Sequence, residues 1–230
     1  MKILIVIPAY NESKNLPKVL ENIRNVSADY DIVVVNDCST DDTQQIAKDH
    51  GCSVISLPVN LGIGGAVQTG FKYARLNGYD IAVQVDGDGQ HNPEHIEALV
   101  GKIAEGYNVC IGSRFIDNKG YQSTHLRRMG IRFFGLLLKL LTGRFFTDPT
   151  SGFRAFDKKA IEYFSVSYPG DYAEPESILM LVKKKMRIAE IPVVMNERAN
   201  GKSSIGSVKS IYYVIKVTVA ICIAGLTKRR

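Results

Sequence analysis

Cysteine is scarce and unpaired in this 230-residue chain. Cys38, Cys52, Cys110 and Cys222 lie far apart, no CxxC occurs, and no His/Cys cluster has the spacing of a zinc site. Neither a disulfide framework nor a structural zinc is expected, and the cysteines read as reduced thiols of a cytosolic protein. Low-complexity stretches and internal repeats are also missing. The net charge is +6, but apart from "LRR", "KKK" and "KRR" the basic residues are scattered. An arm dense enough to grip nucleic acid is therefore lacking, while an anionic membrane or a polyanionic small substrate fits the balance. The apolar run in "MKILIVIPAYNE" is too short for a signal peptide and has no cleavage-like site after it. The first strand–helix turn contains no glycine. The G-x-G-G of "NLGIGGAVQTG" (60–70) follows the third strand instead, so a nicotinamide dinucleotide site is not expected.

What is present is a regular alternation. At 45% hydrophobic the chain can bury a sizeable core. "ILIVI" (3–7), "DIVVVND" (31–37), "CSVISLP" (52–58), "DIAVQVD" (80–86) and "YNVCIGSR" (107–114) read as buried strands. Between them lie helical patterns: Leu16, Val19, Leu20 and Ile23 at helical spacing; "STDDTQQIAKDHG" with Ser39 or Thr40 as its cap; "GGAVQTGFKYARLNG"; and "NPEHIEALVGKIAEG" with proline near its start. Fully apolar strands joined by helices predict a parallel sheet covered on both faces. Ligands of such sheets bind at the carboxyl ends of the strands. "PAYNE", "NDCSTD", "DGDGQ" and "GSR" all fall there. Asn11, Glu12 or Ser13 can start the first helix. Asp37 precedes the second helix cap and is left free to meet a ligand.

"VQVDGDGQH" (83–91) raises an electrostatic question. Asp86 and Asp88 lie two apart at a strand end, where their side chains can point the same way and repel. A divalent cation removes the repulsion, and oxygen-only ligands suit Mg²⁺ or Mn²⁺ better than zinc. Such a loosely held metal takes its remaining ligands from phosphates, and the flanking glycines let a bulky ligand approach the backbone. His91 reads as a helix-start residue. In the second half, "DPTSGFRAF" (148–156) is a loop leading to a short strand, "PESILMLVKKKM" a helix and "RIAEIPVVMNER" a strand.

"IPAYNE", "VVVNDCSTDDT", "DGDGQHNP", "IGSRF", "DPTSGFRAF" and "IPVVMNERANGKSS" occur in the order seen in family 2 glycosyltransferases, and the chain resembles the dolichyl- and polyprenyl-phosphate sugar transferases among them. The resemblance covers about residues 1–206. It implies an α/β fold of GT-A type, a Rossmann-like, mostly parallel sheet flanked by helices, with amphipathic membrane-facing helices. Residues 1–115 would be the nucleotide-sugar half, 116–206 the acceptor half, and 207–230 a C-terminal apolar and basic helix. It also implies inverting transfer from a nucleotide-diphosphate sugar to a polyprenyl phosphate by an enzyme peripheral on the cytoplasmic membrane face.

Carried over residue by residue, Pro8, Ala9, Tyr10, Glu12, Asp37 and Asp86 would line the nucleotide-sugar pocket, with Lys202 over the phosphates. Asp86, Asp88 and Gln90 would hold the metal. Asp88, Arg114, Arg154 and Arg198 would carry catalysis, with Arg127, Arg128 and Ser151 toward the acceptor. The sequence departs from the pattern in having Asn36 where the family usually has an acid, and in lacking Lys or Arg in "NLGIGGAVQ". An anionic phosphate acceptor needs no general base. A sugar hydroxyl of a growing glycan, the alternative acceptor, would need one, and Glu174, Glu176 and Asp148 are the candidates, each equally a loop carboxylate or helix cap. A nucleotide-sugar-binding subunit without turnover is a further alternative.

Two apolar segments remain. In 126–146, Arg127, Arg128, Arg132, Lys139 and Arg144 interrupt Leu and Phe, which suits an interfacial helix or, alternatively, a core helix. Residues 211–226 would reach about 24 Å as a helix, whereas a spanning helix needs about 20 apolar residues. A helix on the membrane surface is expected, with Lys228, Arg229 and Arg230 near anionic head groups. A truncated span or a homo-oligomer contact is the alternative.

Overall fold

A computed structural model of the chain describes residues 1–117, 119–120, 124–170, 173–197 and 207–226, with residues 125–126, 207–213 and 224–226 described by backbone alone. One sheet of seven strands runs through it: β1 Ile3–Ala9, β2 Asp31–Asn36, β3 Ser53–Ser56, β4 Ile81–Gln84, β5 Val109–Ser113, β6 Arg154–Asp157 and β7 Ile188–Pro192, in the order β3-β2-β1-β4-β6-β5-β7. Successive residues of a strand face opposite sides. Leu4, Val6, Val33 and Val35 therefore enter one core layer, while Ile5, Ile7, Ile32 and Val34 enter the other. Both layers are dry, so the strands need no polar alternation.

The second of these layers is closed by α1 Leu16–Val26, α2 Thr43–Asp49 and α4 Ile96–Ala104. The first is closed by α3 Gly62–Leu76, α5 His125–Thr142, α6 Lys158–Val166, α7 Ala173–Lys183 and α8 Ser207–Leu226. In it, Phe71 meets Phe156 edge-on with centroids 4.8 Å apart and stacks on Phe164 at 5.8 Å. Truncating such a ring to alanine costs about 3–5 kcal/mol.

Two features of the second half go beyond the sequence reading of a mostly parallel sheet. Strand β6 lies between β4 and β5 and runs antiparallel to both, so β5 does not pair with β4. Local pattern carries no strand direction, and β6 reverses because the chain re-enters the sheet at its carboxyl edge after α5. Helix α6 was not anticipated at all. Asp157 caps it, accepting the Ala160 N–H at 2.7 Å, and Ile161 and Phe164 bury its inner face.

Helix α5, read as interfacial or core, and α8, read as a surface helix, truncated span or oligomer contact, each bury some apolar residues and expose others. Ile131, Phe134 and Leu138 of α5, and Val217 and Ile221 of α8, are buried. Met129, Phe133, Leu136 and Leu140, with Ile215, Val219 and Ile223, are exposed. Among the described residues no helix is long and apolar enough to cross a membrane.

Candidate active site

Strand order reverses between β1 and β4, and the crevice at their carboxyl ends is where a sheet of this kind takes its ligand. The loops that leave β1, β2 and β4 meet there. A side-chain carbon at Gly87 would come 3.4 Å from both the Pro8 carbonyl oxygen and Glu12 Cγ, so the β1 and β4 loops touch. The β1 and β2 loops are laced by hydrogen bonds. Ser39 Oγ accepts the Asn11 N–H at 3.0 Å, and Asn11 Oδ1 accepts the Thr40 N–H at 2.8 Å. Thr43 Oγ1 accepts the Glu12 N–H at 2.9 Å, and Asp41 Oδ2 the Ser13 N–H at 3.1 Å. Asn11 holds a left-handed conformation, φ 56°, which an asparagine tolerates and which turns its amide toward the β2 loop.

This lacing reassigns several residues. Helix α1 starts at Leu16, after Asn15, and not at Asn11, Glu12 or Ser13. Ser39 and Thr40 face Asn11 and do not cap α2, whose first residue follows Asp42. Burial pushes the Asp41 carboxyl up, but hydrogen bonds from Thr43 and Ser13 outweigh it and leave its pKa lowered. Asp37 is not the free carboxylate expected from the sequence. Its Oδ1 accepts the Leu61 N–H at 2.7 Å and its Oδ2 the Gly62 N–H at 2.9 Å, so it caps the amino end of α3 across the sheet edge. Asn36 is buried too, its amide shared between Ser39 and Ser56. Tyr10 is half exposed after β1, whereas Pro8 and Ala9 at the end of that strand are buried.

At the end of β4, Asp88 is buried and its Oδ1 accepts the Gln90 N–H at 3.0 Å. Asp86 keeps a third of its side chain exposed, with His91 Nε2 3.5 Å from Oδ2 and Gln84 Nε2 3.3 Å from Oδ1. His91 is no simple helix-start residue. It is buried, stacks on Phe153 at 4.7 Å, accepts the Asp86 N–H at Nδ1, and forms an isolated bridge with Met195. Gln90 accepts the Asn196 N–H at its carbonyl. The segment after β7 is thus sutured to the acidic loop, with His95 Nε2 accepting the Val194 N–H as a third stitch. Asp86, Asp88 and Gln90 are hard oxygen donors of the kind Mg²⁺ or Mn²⁺ takes. No group of three His, Cys, Asp or Glu able to hold a metal occurs among the described residues, so any ion held here would need further oxygens from a ligand.

The antiparallel β6 brings its amino end to this edge, with the 147–153 loop ahead of it. A side-chain carbon at Gly152 would lie 2.9 Å from Gln84 Nε2 and 3.4 Å from Asp86 Oδ2, so a larger residue would push the Gln84 amide aside. Buried ions hold the loop. Arg114 grips Asp148 through Nε at 2.6 Å and Nη2 at 2.8 Å. Glu190 of β7 accepts the Thr147 N–H at 2.9 Å and the Asp148 N–H at 3.2 Å. Arg154 is wholly buried, donating to the carbonyls of Ser151 (2.7 Å), Pro149 (3.0 Å) and Glu174 (3.1 Å) and to Ser177 Oγ (2.9 Å).

Arg154 therefore does not reach the open site; it shapes the loop and ties it to α7. Asp148, fully buried and paired with Arg114, is not available as a base. Ser151 is a turn residue whose Oγ accepts the Phe153 N–H. Burial raises the Glu174 carboxyl's pKa, with Arg154 opposing and the Asp86 charge adding to the rise.

Arg127 lies exposed and Arg128 half-buried on the first turn of α5, away from these bonds. Arg198, Lys202, Lys228, Arg229 and Arg230 lie outside the described residues. Sequence reasoning missed Gln84, His91 and Glu190. A polar residue inside an otherwise apolar strand was the available signal for Gln84 and Glu190; nothing local marked His91.

Comparison with known proteins gives a consistent result. Residues 4–164 match the family model described as glycosyl transferase family 2. The undecaprenyl-phosphate mannosyltransferase of Micrococcus luteus is 30% identical over 212 residues, 88% of this chain and 87% of the relative. The UDP-N-acetylglucosamine–dolichyl-phosphate N-acetylglucosaminyltransferase of Methanococcus voltae is 33% identical over 83% of this chain and 84% of the relative. Among solved structures, glucosyl-3-phosphoglycerate synthase of Mycobacterium tuberculosis, crystallised with Mn²⁺, UDP-glucose and phosphoglyceric acid, matches with a TM-score of 0.75 at 21% identity, over 97% of this chain and 79% of that one. At that identity the likeness is one of fold, and the fold is the GT-A glycosyltransferase type.

Proposed function

The chain belongs to glycosyltransferase family 2 and is a glycosyltransferase, and from that premise we propose that it moves a sugar from a nucleotide-diphosphate sugar to a polyprenyl phosphate at the cytoplasmic face of the membrane. The observation that carries this reading is the meeting of the Asp86–Asp88 loop with the Gly152 loop at the β1/β4 crevice. One side of the crevice offers Pro8, Ala9, Tyr10 and Glu12 to a nucleotide. The other offers a loop fixed by Arg114, Arg154 and Glu190.

Asp86, Asp88 and Gln90 would hold Mg²⁺ or Mn²⁺, which when bound neutralises charge on the departing nucleoside diphosphate. The protein's own part is to place donor and acceptor. Asp37 fixes the α3 end beside the nucleotide pocket, and the buried Arg154 holds the 149–152 backbone beneath the acidic pair. Arg198 and Lys202 are proposed to close over the phosphates, and Arg127 and Arg128 to face the acceptor. A phosphate monoester is already anionic at neutral pH, so the acceptor oxygen can attack without a general base. The relatives' names support this acceptor class. The exposed Met129, Phe133, Leu136 and Leu140 of α5, interleaved with Arg132 and Lys139, suit contact with a lipid surface carrying that acceptor.

The test is an incubation of the purified chain with undecaprenyl or dolichyl phosphate in vesicles, Mg²⁺ or Mn²⁺, and a panel of labelled UDP- and GDP-sugars, followed by organic extraction. Label in the organic phase that disappears with Asp88→Ala is the expected result. Label found only in an aqueous polymer would overturn the lipid-phosphate acceptor.

A further inference from the structure

Gln84 is an anomaly in the core. It closes β4, whose residues are all buried, and only 2% of its surface is exposed. Its Oε1 is the one buried side-chain polar atom without a hydrogen-bond partner among the described residues. An amide oxygen in that state has given up water for nothing, and a buried polar atom left unpaired in a folded protein calls for an explanation. The other end of the same amide supplies one. Nε2 points to Asp86 Oδ1 at 3.3 Å, and turning the amide over would place Oε1 against the carboxylate instead.

His91 lies against the second oxygen and holds the Asp86 backbone. Its Nδ1 accepts the Asp86 N–H at 3.0 Å and so carries no proton. The proton is on Nε2, which lies 3.5 Å from Asp86 Oδ2. The ring cannot swing, since it stacks on Phe153 at an interplanar angle of 13° and its backbone bridges to Met195. Gly152 closes the frame from the third side.

We infer that Gln84 and His91 are positioning residues that aim the Asp86 carboxylate at the metal, and that Gln84 is retained for this against the stability of the fold. Neither residue touches the donor or acceptor; both act through Asp86. The inference rests on the metal-dependent reading proposed above and adds to it the second layer of the site. Partners of this kind typically change metal affinity about 10- to 100-fold when removed.

Gln84→Met tests it most sharply. Methionine keeps nearly the same length and removes the orphaned oxygen together with the donor to Asp86. Mn²⁺ binding is measured on the full chain by the paramagnetic resonance signal of free Mn²⁺, with the metal alone and with UDP or GDP added. Thermal unfolding is followed in parallel. Gln84→Met is expected to raise Tm by about 2–4 °C, relief of the orphaned oxygen outweighing the lost bond to Asp86 by a small margin, while weakening Mn²⁺ about 10- to 100-fold. His91→Phe, which keeps the ring on Phe153 and loses both nitrogens, is expected to weaken Mn²⁺ as well; if it does not fold, Gln84→Met decides alone. Asp88→Ala separates the two levels. If it abolishes Mn²⁺ binding while Gln84→Met binds Mn²⁺ as the unaltered chain does, the positioning role is refuted and the metal site stands. If Asp88→Ala also binds as before, the metal reading itself fails and the inference with it.

Discussion

Replacing Arg154 by methionine should unfold this protein well before it disables a reaction. The guanidinium donates four hydrogen bonds at 2.7–3.1 Å, three to backbone carbonyls and one to Ser177 Oγ. Bonds from a charged donor contribute about 1.5–3 kcal/mol each, and each buried acceptor left behind costs about 1–3 kcal/mol. Against that, methionine fills most of the volume and spares the desolvation of a buried charge, several kcal/mol. That desolvation is why the Arg154 pKa is lowered even with Glu174, Asp148 and Glu190 nearby. The balance expected on breaking a buried ionic centre is about 3–5 kcal/mol, a large share of the roughly 5–15 kcal/mol that holds a domain folded.

At about 2–4 °C per kcal/mol for a chain of this length, Tm should fall by about 6–20 °C. Scanning calorimetry reads the shift, and activity is compared at a temperature where both proteins are folded. Arg154→Lys keeps the charge but not the planar fork, and should lie between the two. A methionine variant with an unchanged Tm and no activity would falsify the scaffold role, because it would mean that Arg154 serves the reacting groups and not the loop.

Three further outcomes are expected. Asp37→Ala leaves the Leu61 and Gly62 N–H groups uncapped and should cost about 1–2 kcal/mol, read as a lowered urea midpoint at constant m-value. Gly152→Ala drives a methyl into Gln84 and should cost about 1–3 kcal/mol, with weakened Mn²⁺ binding beside it; unchanged Mn²⁺ binding would separate this loop from Asp86. Because burial raises the Glu174 pKa, the folded state holds that proton more tightly than the unfolded chain. The stability it contributes is complete below the ordinary carboxyl range and drains as pH rises through the raised value. A Tm-against-pH profile should accordingly flatten in Glu174→Gln between the ordinary carboxyl range and the raised value, and an unaltered profile would refute the assignment.

How far the sequence discloses this molecule depends on whether a feature is local. β1 and β2 are legible because a run such as "ILIVI" or "DIVVV" fits only a strand covered on both faces. The acidic pair is legible because Asp86 and Asp88 follow such a run. Strand direction is not local, so β6 looked no different from a parallel strand until its pairing with β4 and β5 was known. Side-chain commitments over long separations are equally hidden. The Asp37 carboxylate goes to residues 24 and 25 positions away, that of Glu190 to Thr147 and Asp148, and the Arg154 guanidinium to Ser177. Each is a charged residue, Asp37 and Arg154 in suggestive motifs and Glu190 in a plain strand, and each is used by the scaffold.

That pattern bears on where the chemistry sits. In the 147–153 scaffold the charges are met within the protein: Asp148 by Arg114, Glu190 by the Thr147 and Asp148 amides, Arg154 by carbonyl oxygens. Asp86 is different. Its carboxylate accepts from the neutral Gln84 amide and lies 3.5 Å from Nε2 of a His91 ring whose other nitrogen is already an acceptor. Neutral donors orient a carboxylate without cancelling its charge. Two aspartates two residues apart, one of them held in this way at the end of β4, would concentrate negative potential where a metal–diphosphate enters, while Arg154 is committed to the neighbouring loop. The orientation of Asp86 at the end of β4 supports the site proposed at this edge of the sheet, and the neighbouring motifs hold the loops around it in place.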